Sequence, residues 1–149
     1  MLLDEEMMFH ALAEARLAGA AGDVPVGAVV ERDGQVILRT RNEKQLRSLP
    51  TAHAELMAVE QTAMLLGTRY LSDCTIYVTL EPCPMCAGAI VAARFGRVVF
   101  GAYNIRCGAL GSLFNLLEFG TDPKPLVRGG ILESECALLL TEHFRKLRK

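Results

Sequence analysis

Four side chains of this 149-residue chain have the types and spacing for metal-assisted chemistry. Cys83 and Cys86 stand three positions apart, behind the apolar-to-acidic run Thr79-Leu80-Glu81-Pro82. Upstream, His53-Ala54-Glu55 adds one imidazole and one carboxylate. Two thiolates and an imidazole favour zinc over magnesium or calcium, and three protein ligands leave a fourth position open to water. At the start of a helix, positions i and i+3 share a face, and the free N–H groups there favour the thiolate form. An open site of this kind lowers the pKa of bound water to about 7. Glu55 is then the base that takes a proton and passes it to a ring nitrogen and to a departing amine. Hydrolytic loss of ammonia from an amino-substituted heterocycle fits these parts.

The same residues have plainer readings. A lone Cys-x-x-Cys also serves redox pairs and halves of zinc fingers. No second such pair is present, and the only other histidines are His10 and His143. A closed, structural zinc site would therefore need Cys74, Cys107 or Cys136 as its fourth ligand. Five cysteines is an odd count, so a disulfide framework is not expected, and those three read as ordinary reduced thiols. Taken alone, Glu55 is a helix-start carboxylate favoured by the dipole. On an ideal helix, residues two apart point about 200° apart, so His53 and Glu55 would approach one pocket from different sides.

These groups need elements to hold them. Apolar residues at helical spacing predict a helix over residues 4–18, ended by Gly19 and Gly22. Residues 26–30 read as a buried strand, Asp33-Gly34 as a hairpin turn and 35–40 as the return strand, with Asn42 at its end. A helix is expected over 52–66, with Thr51 as its N-cap. The β-branched run 75–80 reads as a strand, Pro82 as the start of a helix to about Ala93, and 97–101 as a further strand. Residues 103–112 read as a loop that lacks the lysine and spacing of a phosphate loop. A short amphipathic segment over 113–119, a turn at 121–125, a short strand at Leu126-Val127 and a helix over 133–147 complete the chain. This order predicts one three-layer α/β domain over residues 1–149 with a mixed sheet.

Bulk properties narrow the class. Half the residues are hydrophobic, enough for a packed core, and the net charge of −1 excludes a globally basic nucleic-acid binder. No apolar run approaches the ~18–20 residues that span a bilayer. The acidic opening Asp4-Glu5-Glu6 is the reverse of a secretory leader, so a cytoplasmic location is expected.

His53-Ala54-Glu55 with Pro82-Cys83-Pro84-Met85-Cys86 matches the signature of the zinc cytidine and adenosine deaminases. Within that superfamily the chain resembles the bacterial tRNA-specific adenosine deaminases. Beside the zinc motif, the resemblance is carried by Val24-Pro25-Val26-Gly27-Ala28, Asn42, Pro50-Thr51-Ala52, Tyr77-Val78-Thr79-Leu80-Glu81-Pro82-Cys83, Gly96-Arg97-Val98-Val99-Phe100-Gly101-Ala102, Gly108, Gly111-Ser112 and the segment from Glu135-Cys136 to Phe144-Arg145. It implies a three-layer α/β/α cytidine-deaminase-like domain with a central mixed sheet of about five strands. It also implies one Zn2+ per subunit on His53, Cys83 and Cys86, with Glu55 as the proton shuttle. The implied partners are a tRNA anticodon stem-loop, whose wobble adenosine becomes inosine, and a second copy of the chain. By the same resemblance Asn42 and the Ala54 backbone hold the flipped base, Val26 packs against it, and Asn104 lines the nucleic-acid path. Asn104 stands where relatives commonly carry an acidic residue. Phe144 and Arg148, in the basic stretch with Arg145, Lys146 and Lys149, suit stacking and phosphate contact. A small-molecule deaminase for guanine, cytosine or a nucleotide is the neighbouring alternative, and a non-catalytic zinc-stabilised module is the other.

Overall fold

The computed structural model describes residues 2–120 and 123–148. Thr121 and Asp122, expected in a turn, and Lys149, expected in the basic tail, lie outside the described residues. The elements in chain order are α1 (Leu3–Ala20), β1 (Gly27–Arg32), β2 (Gln35–Arg41), α2 (Lys44–Arg47), α3 (Ala54–Leu66), β3 (Thr75–Leu80), α4 (Pro84–Ala92), β4 (Arg97–Ala102), a 3-10 turn (Leu116–Glu118), β5 (Leu126–Arg128) and α5 (Glu133–Leu147).

The strands form one sheet in the order β2-β1-β3-β4-β5. β1 is antiparallel to both β2 and β3, whereas β3, β4 and β5 run parallel, so the sheet is mixed as expected. The β1–β2 turn carries Asp33 and Gly34 at φ 54° and 80°, a pair of positive values that suits a tight hairpin and that Asp-Gly adopts readily. Alternation of side chains along the strands divides the core in two. Ala28, Val30, Ile76, Val78, Val98 and Phe100 face Ala54, Ala58 and Ile90 of α3 and α4. Val29, Tyr77 and Val99 face Met8, Leu12 and Cys136 of α1 and α5. A sheet buried on both faces between helices is the three-layer arrangement, and near-continuous β-branched strands are its sequence counterpart.

α1 is tied to the sheet by Asp4 as well as by its apolar face. The Tyr77 hydroxyl donates to Asp4 Oδ1 at 2.7 Å, Arg97 reaches both carboxylate oxygens at 3.1 and 2.9 Å, and Arg128 donates to Oδ2 at 2.8 Å. The hydrogen bonds from Arg97 hold the Asp4 carboxyl down at about 2, against burial. Cys74 and Cys136 are buried free thiols that burial pushes up to about 11 and 12, in keeping with inert core residues.

Several boundaries differ from the sequence reading, each for a local reason. Gly19 lies inside α1, which continues to Ala20. α3 starts at Ala54, and its N-cap residue is His53 in extended conformation, φ −79° and ψ 145°; Thr51 caps nothing. The donor at the helix start is met from another element, because Ala54 N–H donates to Asn42 Oδ1 at 2.8 Å. α4 starts at Pro84, whose fixed φ and missing N–H suit the first helical position, and Pro82 precedes it. Within the amphipathic segment expected over 113–119, the regular structure is a single 3-10 turn, Leu116–Glu118. The Asn115 side chain accepts from Leu117 N–H at 3.1 Å, a local turn that stops after one 3-10 repeat, while Leu116 N–H is drawn to Ala109 O at 2.8 Å.

Candidate active site and metal centre

The site forms at one end of the sheet, where two helix starts converge. β3 and β4 both end there, leading into residues 81–83 and 103–112. Because β1 is antiparallel to β3 and pairs with β2, the start of β1 and the end of β2 come to the same edge. Val26 and Asn42 are thereby neighbours, joined by a hydrogen bond from Asn42 N–H to Val26 O at 3.0 Å. Ligand crevices at the carboxyl ends of parallel strands are a general outcome of such sheets.

His53 precedes α3 and Cys83 precedes α4, each as the N-cap residue, while Cys86 sits in the first turn of α4. His53 Nδ1 lies 3.9 Å from Cys83 Sγ and 3.5 Å from Cys86 Sγ. One ligand atom from each of the three residues falls within 4.8 Å of the other two. Tetrahedral zinc with bonds of ~2.3 Å to sulfur and ~2.0–2.1 Å to nitrogen requires N···S edges of about 3.6 Å, so the donors are spaced for that ion. Among the described residues no further His, Cys, Asp or Glu joins the group, which leaves Cys74, Cys107 and Cys136 out of a closed four-ligand site. The Cys86 thiol and His53 beside Cys83 hold its sulfur down at about 4, whereas the bond to Cys83 and burial push Cys86 up. The contact with Cys83 raises His53, against burial.

Glu55 stands on the same edge. Because His53 lies outside the helix in extended backbone, the two are not held to the helical angle, and both line one pocket. Glu55 is 4% exposed, its Oε1 is buried without a hydrogen-bond partner, and burial raises its carboxyl to about 7. A buried carboxylate oxygen costs free energy unless something polar meets it, so the free Oε1 marks a place for a polar reactant. That atom and the donor set together fit zinc with a water-derived nucleophile beside it.

The pocket has a volume of about 450 Å³. Val26, Asn42, His53, Glu55, Cys83, Asn104 and Phe144 line it, as do Lys44, Leu80, Tyr103, Arg106 and Leu140. Arg148 is not on the lining but is the C-cap residue of α5, beyond Phe144. Ala54 is fully buried with both backbone groups engaged, its N–H by Asn42 and its carbonyl by the Thr40 hydroxyl at 2.7 Å. Asn42 therefore spends its oxygen on α3 and keeps its side-chain NH2 free of hydrogen bonds among the described residues. Sequence reasoning passed over Glu81. It is buried against the 103–112 loop, and the signals for it were a carboxylate at the end of an apolar strand and its place within the segment that carries the family resemblance.

A three-layer sheet with a His/Cys/Cys group and a free buried carboxylate at its edge defines the class: a metal-dependent hydrolytic deaminase. The model of the MafB19-like deaminase family matches residues 3–122. The tRNA-specific adenosine deaminase of Bacillus subtilis is 44% identical over 150 residues, covering 100% of this chain and 93% of that protein. A solved structure from work on A-to-I editing by tRNA:A34 deaminases at the wobble position of transfer RNA superposes with a TM-score of 0.82 at 40% identity, covering 91% of this chain and 99% of that one. The guanine deaminase from Nitrosomonas europaea gives a TM-score of 0.81 at 26% identity, covering 93% and 83%. The chain belongs to the bacterial tRNA-specific adenosine deaminases, within the cytidine-deaminase superfamily.

Proposed function

We propose that this chain deaminates adenosine to inosine at the wobble position of a tRNA anticodon loop, with one Zn2+ per subunit held by His53, Cys83 and Cys86. The reading rests on the unpartnered Glu55 carboxyl beside the His/Cys/Cys group on the pocket wall. When bound there, zinc supplies Lewis acidity and an activated water at neutral pH. Glu55 takes one proton from the attacking water and delivers it to a ring nitrogen of the base. It then carries the second to the departing amine, so that adenosine and water give inosine and ammonia. The free Asn42 NH2 donates to the base, and its Oδ1 keeps the start of α3, and with it His53 and Glu55, in register. Ala54 acts through that bond, since its N–H is already spent. Val26 packs against the base, and the apolar wall of Leu80, Leu140 and Phe144 excludes bulk water.

A base inside a paired stem cannot enter such a pocket, whereas an unstacked loop base can. Asn104, Phe144 and Arg148 are the contacts proposed for the flanking nucleotides. The active form is proposed to be a homodimer in the cytoplasm; exposed Met85 on α4 and exposed Leu113 and Phe119 supply apolar surface for a second copy. No helix among the described residues is long and apolar enough to cross a membrane.

The guanine deaminase likeness favours one second reading, a small-molecule base deaminase on the same metal centre. Incubating the chain with an anticodon stem-loop carrying adenosine at the wobble position, beside free adenosine, guanine and cytosine, separates the two. Inosine in the stem-loop with the free compounds untouched is expected. Conversion of the free compounds alone would reject the tRNA reading.

A further inference from the structure

Glu81 follows β3 directly and stands two residues before Cys83, at 1% exposure. No cation pairs with it among the described residues. Its oxygens are met instead from one loop. Asn104 N–H donates to Oε1 at 3.1 Å, Leu110 N–H and Ser112 N–H donate to Oε2 at 3.0 and 3.1 Å, and the Ser112 hydroxyl donates to Oε1. Gly108, midway along the loop, lies so close that a Cβ there would run into the Glu81 carboxyl carbon and Asn104 O. A second tie runs beside the first, from Ala109 N–H to Pro82 O at 2.9 Å.

The pinned loop forms one wall of the pocket. Its residues Tyr103, Asn104, Ile105, Arg106 and Cys107 all line the pocket, and Ile105 projects to 81% exposure. Its inner edge is fixed to the stretch that also supplies Cys83, while its tip at Ile105 is exposed. The distance from the metal cluster to this wall is therefore set through the Glu81 side chain together with the Pro82 carbonyl.

We infer that Glu81 is a positioning residue: it holds residues 103–107 at the spacing from the metal centre that the substrate needs, so it governs substrate binding rather than the chemical step. The inference rests on the proposed function for what enters the pocket. Each Glu81 oxygen receives at least one backbone N–H. In Glu81→Gln, whichever oxygen becomes NH2 meets a donor, and a bond to the loop is lost. Glu81→Asp keeps both acceptors on a shorter stem and serves as the milder variant.

The test compares wild type, Glu81→Gln and Glu81→Asp by zinc content, amide hydrogen exchange, and steady-state kinetics on the anticodon stem-loop. For Glu81→Gln the expected result is unchanged zinc and faster exchange confined to the amides of Asn104, Leu110 and Ser112. KM should rise about tenfold, as one or two lost hydrogen bonds imply, with kcat within about threefold of wild type. Glu81→Asp should move the same quantities less, and carries the comparison alone if the Gln variant does not fold. Unchanged exchange at those three amides, or a fall in kcat at constant KM, would overturn the inference. A wild-type chain that leaves the stem-loop untouched would instead reject the tRNA reading, while the exchange data still decide the part played by Glu81.

Discussion

The two walls of the pocket are built in opposite ways. On the inner wall, His53, Glu55 and Cys83 line the pocket with Cys86 buried behind them, all at the starts of two helices packed on the sheet. On the outer wall, residues 103–107 and Phe144 are exposed or partly so, and the loop depends on bonds to Glu81 and Pro82. On the proposed function, rigid elements carry the chemistry and a pinned loop carries the recognition. The likeness to a guanine deaminase at 26% identity is one of fold, and a shared fold leaves the choice of substrate to the site built on it.

If that contrast holds, damage to the inner wall should be severe and independent of substrate, and damage to the outer wall mild and substrate-dependent. The largest effect is expected from Cys86→Ala, which removes one of three ligands: zinc content should fall and activity vanish together. Retained zinc with retained activity would remove Cys86 from the centre. Asn42→Ala comes next. It takes away the acceptor that caps α3 from outside, worth about 1 kcal/mol by analogy with N-cap deletions, together with the proposed donor to the base. Denaturant midpoints and rates should therefore both fall, the rate by about tenfold or more. A drop in one without the other would split the two roles.

Asp4 tests the inner architecture far from the pocket. Its folded-state carboxyl, held at about 2 chiefly by the hydrogen bonds from Arg97, lies below the ordinary value of 3.8. Its stabilisation is therefore complete above about pH 4 and is lost as the pH falls through about 2. The stability gap between wild type and Asp4→Asn should be about 2 kcal/mol wider at pH 7 than at pH 2, read from urea unfolding. A gap that does not change with pH would mean the ion pairs contribute nothing. The smallest effect is expected at the rim. Arg148→Ala should raise KM for the stem-loop about threefold, leave kcat alone and lower the salt slope of binding by about one. No change in the salt slope would place Arg148 off the RNA path.

Legibility in the sequence follows the same line. β3 and α5 carry the boundaries expected for them, β3 because its β-branched run is buried on both faces of the sheet. The His53, Cys83 and Cys86 group was readable from residue type and spacing, since few other arrangements use those ligands. What escaped were bonds from a side chain to distant backbone. Asn42 caps a helix 12 residues away, and Glu81 gathers amides 23 to 31 residues away. Backbone amides are the same at every residue, so such contacts leave no pattern in the partner's sequence. Thr51 looked like the cap for a related reason: local propensity favours it, but the extended backbone at His53 that the metal group needs moves the helix start past it.

The most direct test of the account is Glu55→Ala, measured for bound zinc and for inosine formation in the anticodon stem-loop. Glu55 is no member of the donor group, yet its free oxygen is the proposed proton carrier. The account predicts wild-type zinc content and a rate lower by about 10²–10⁴, the range for loss of a general acid–base. Full activity with zinc in place would contradict it.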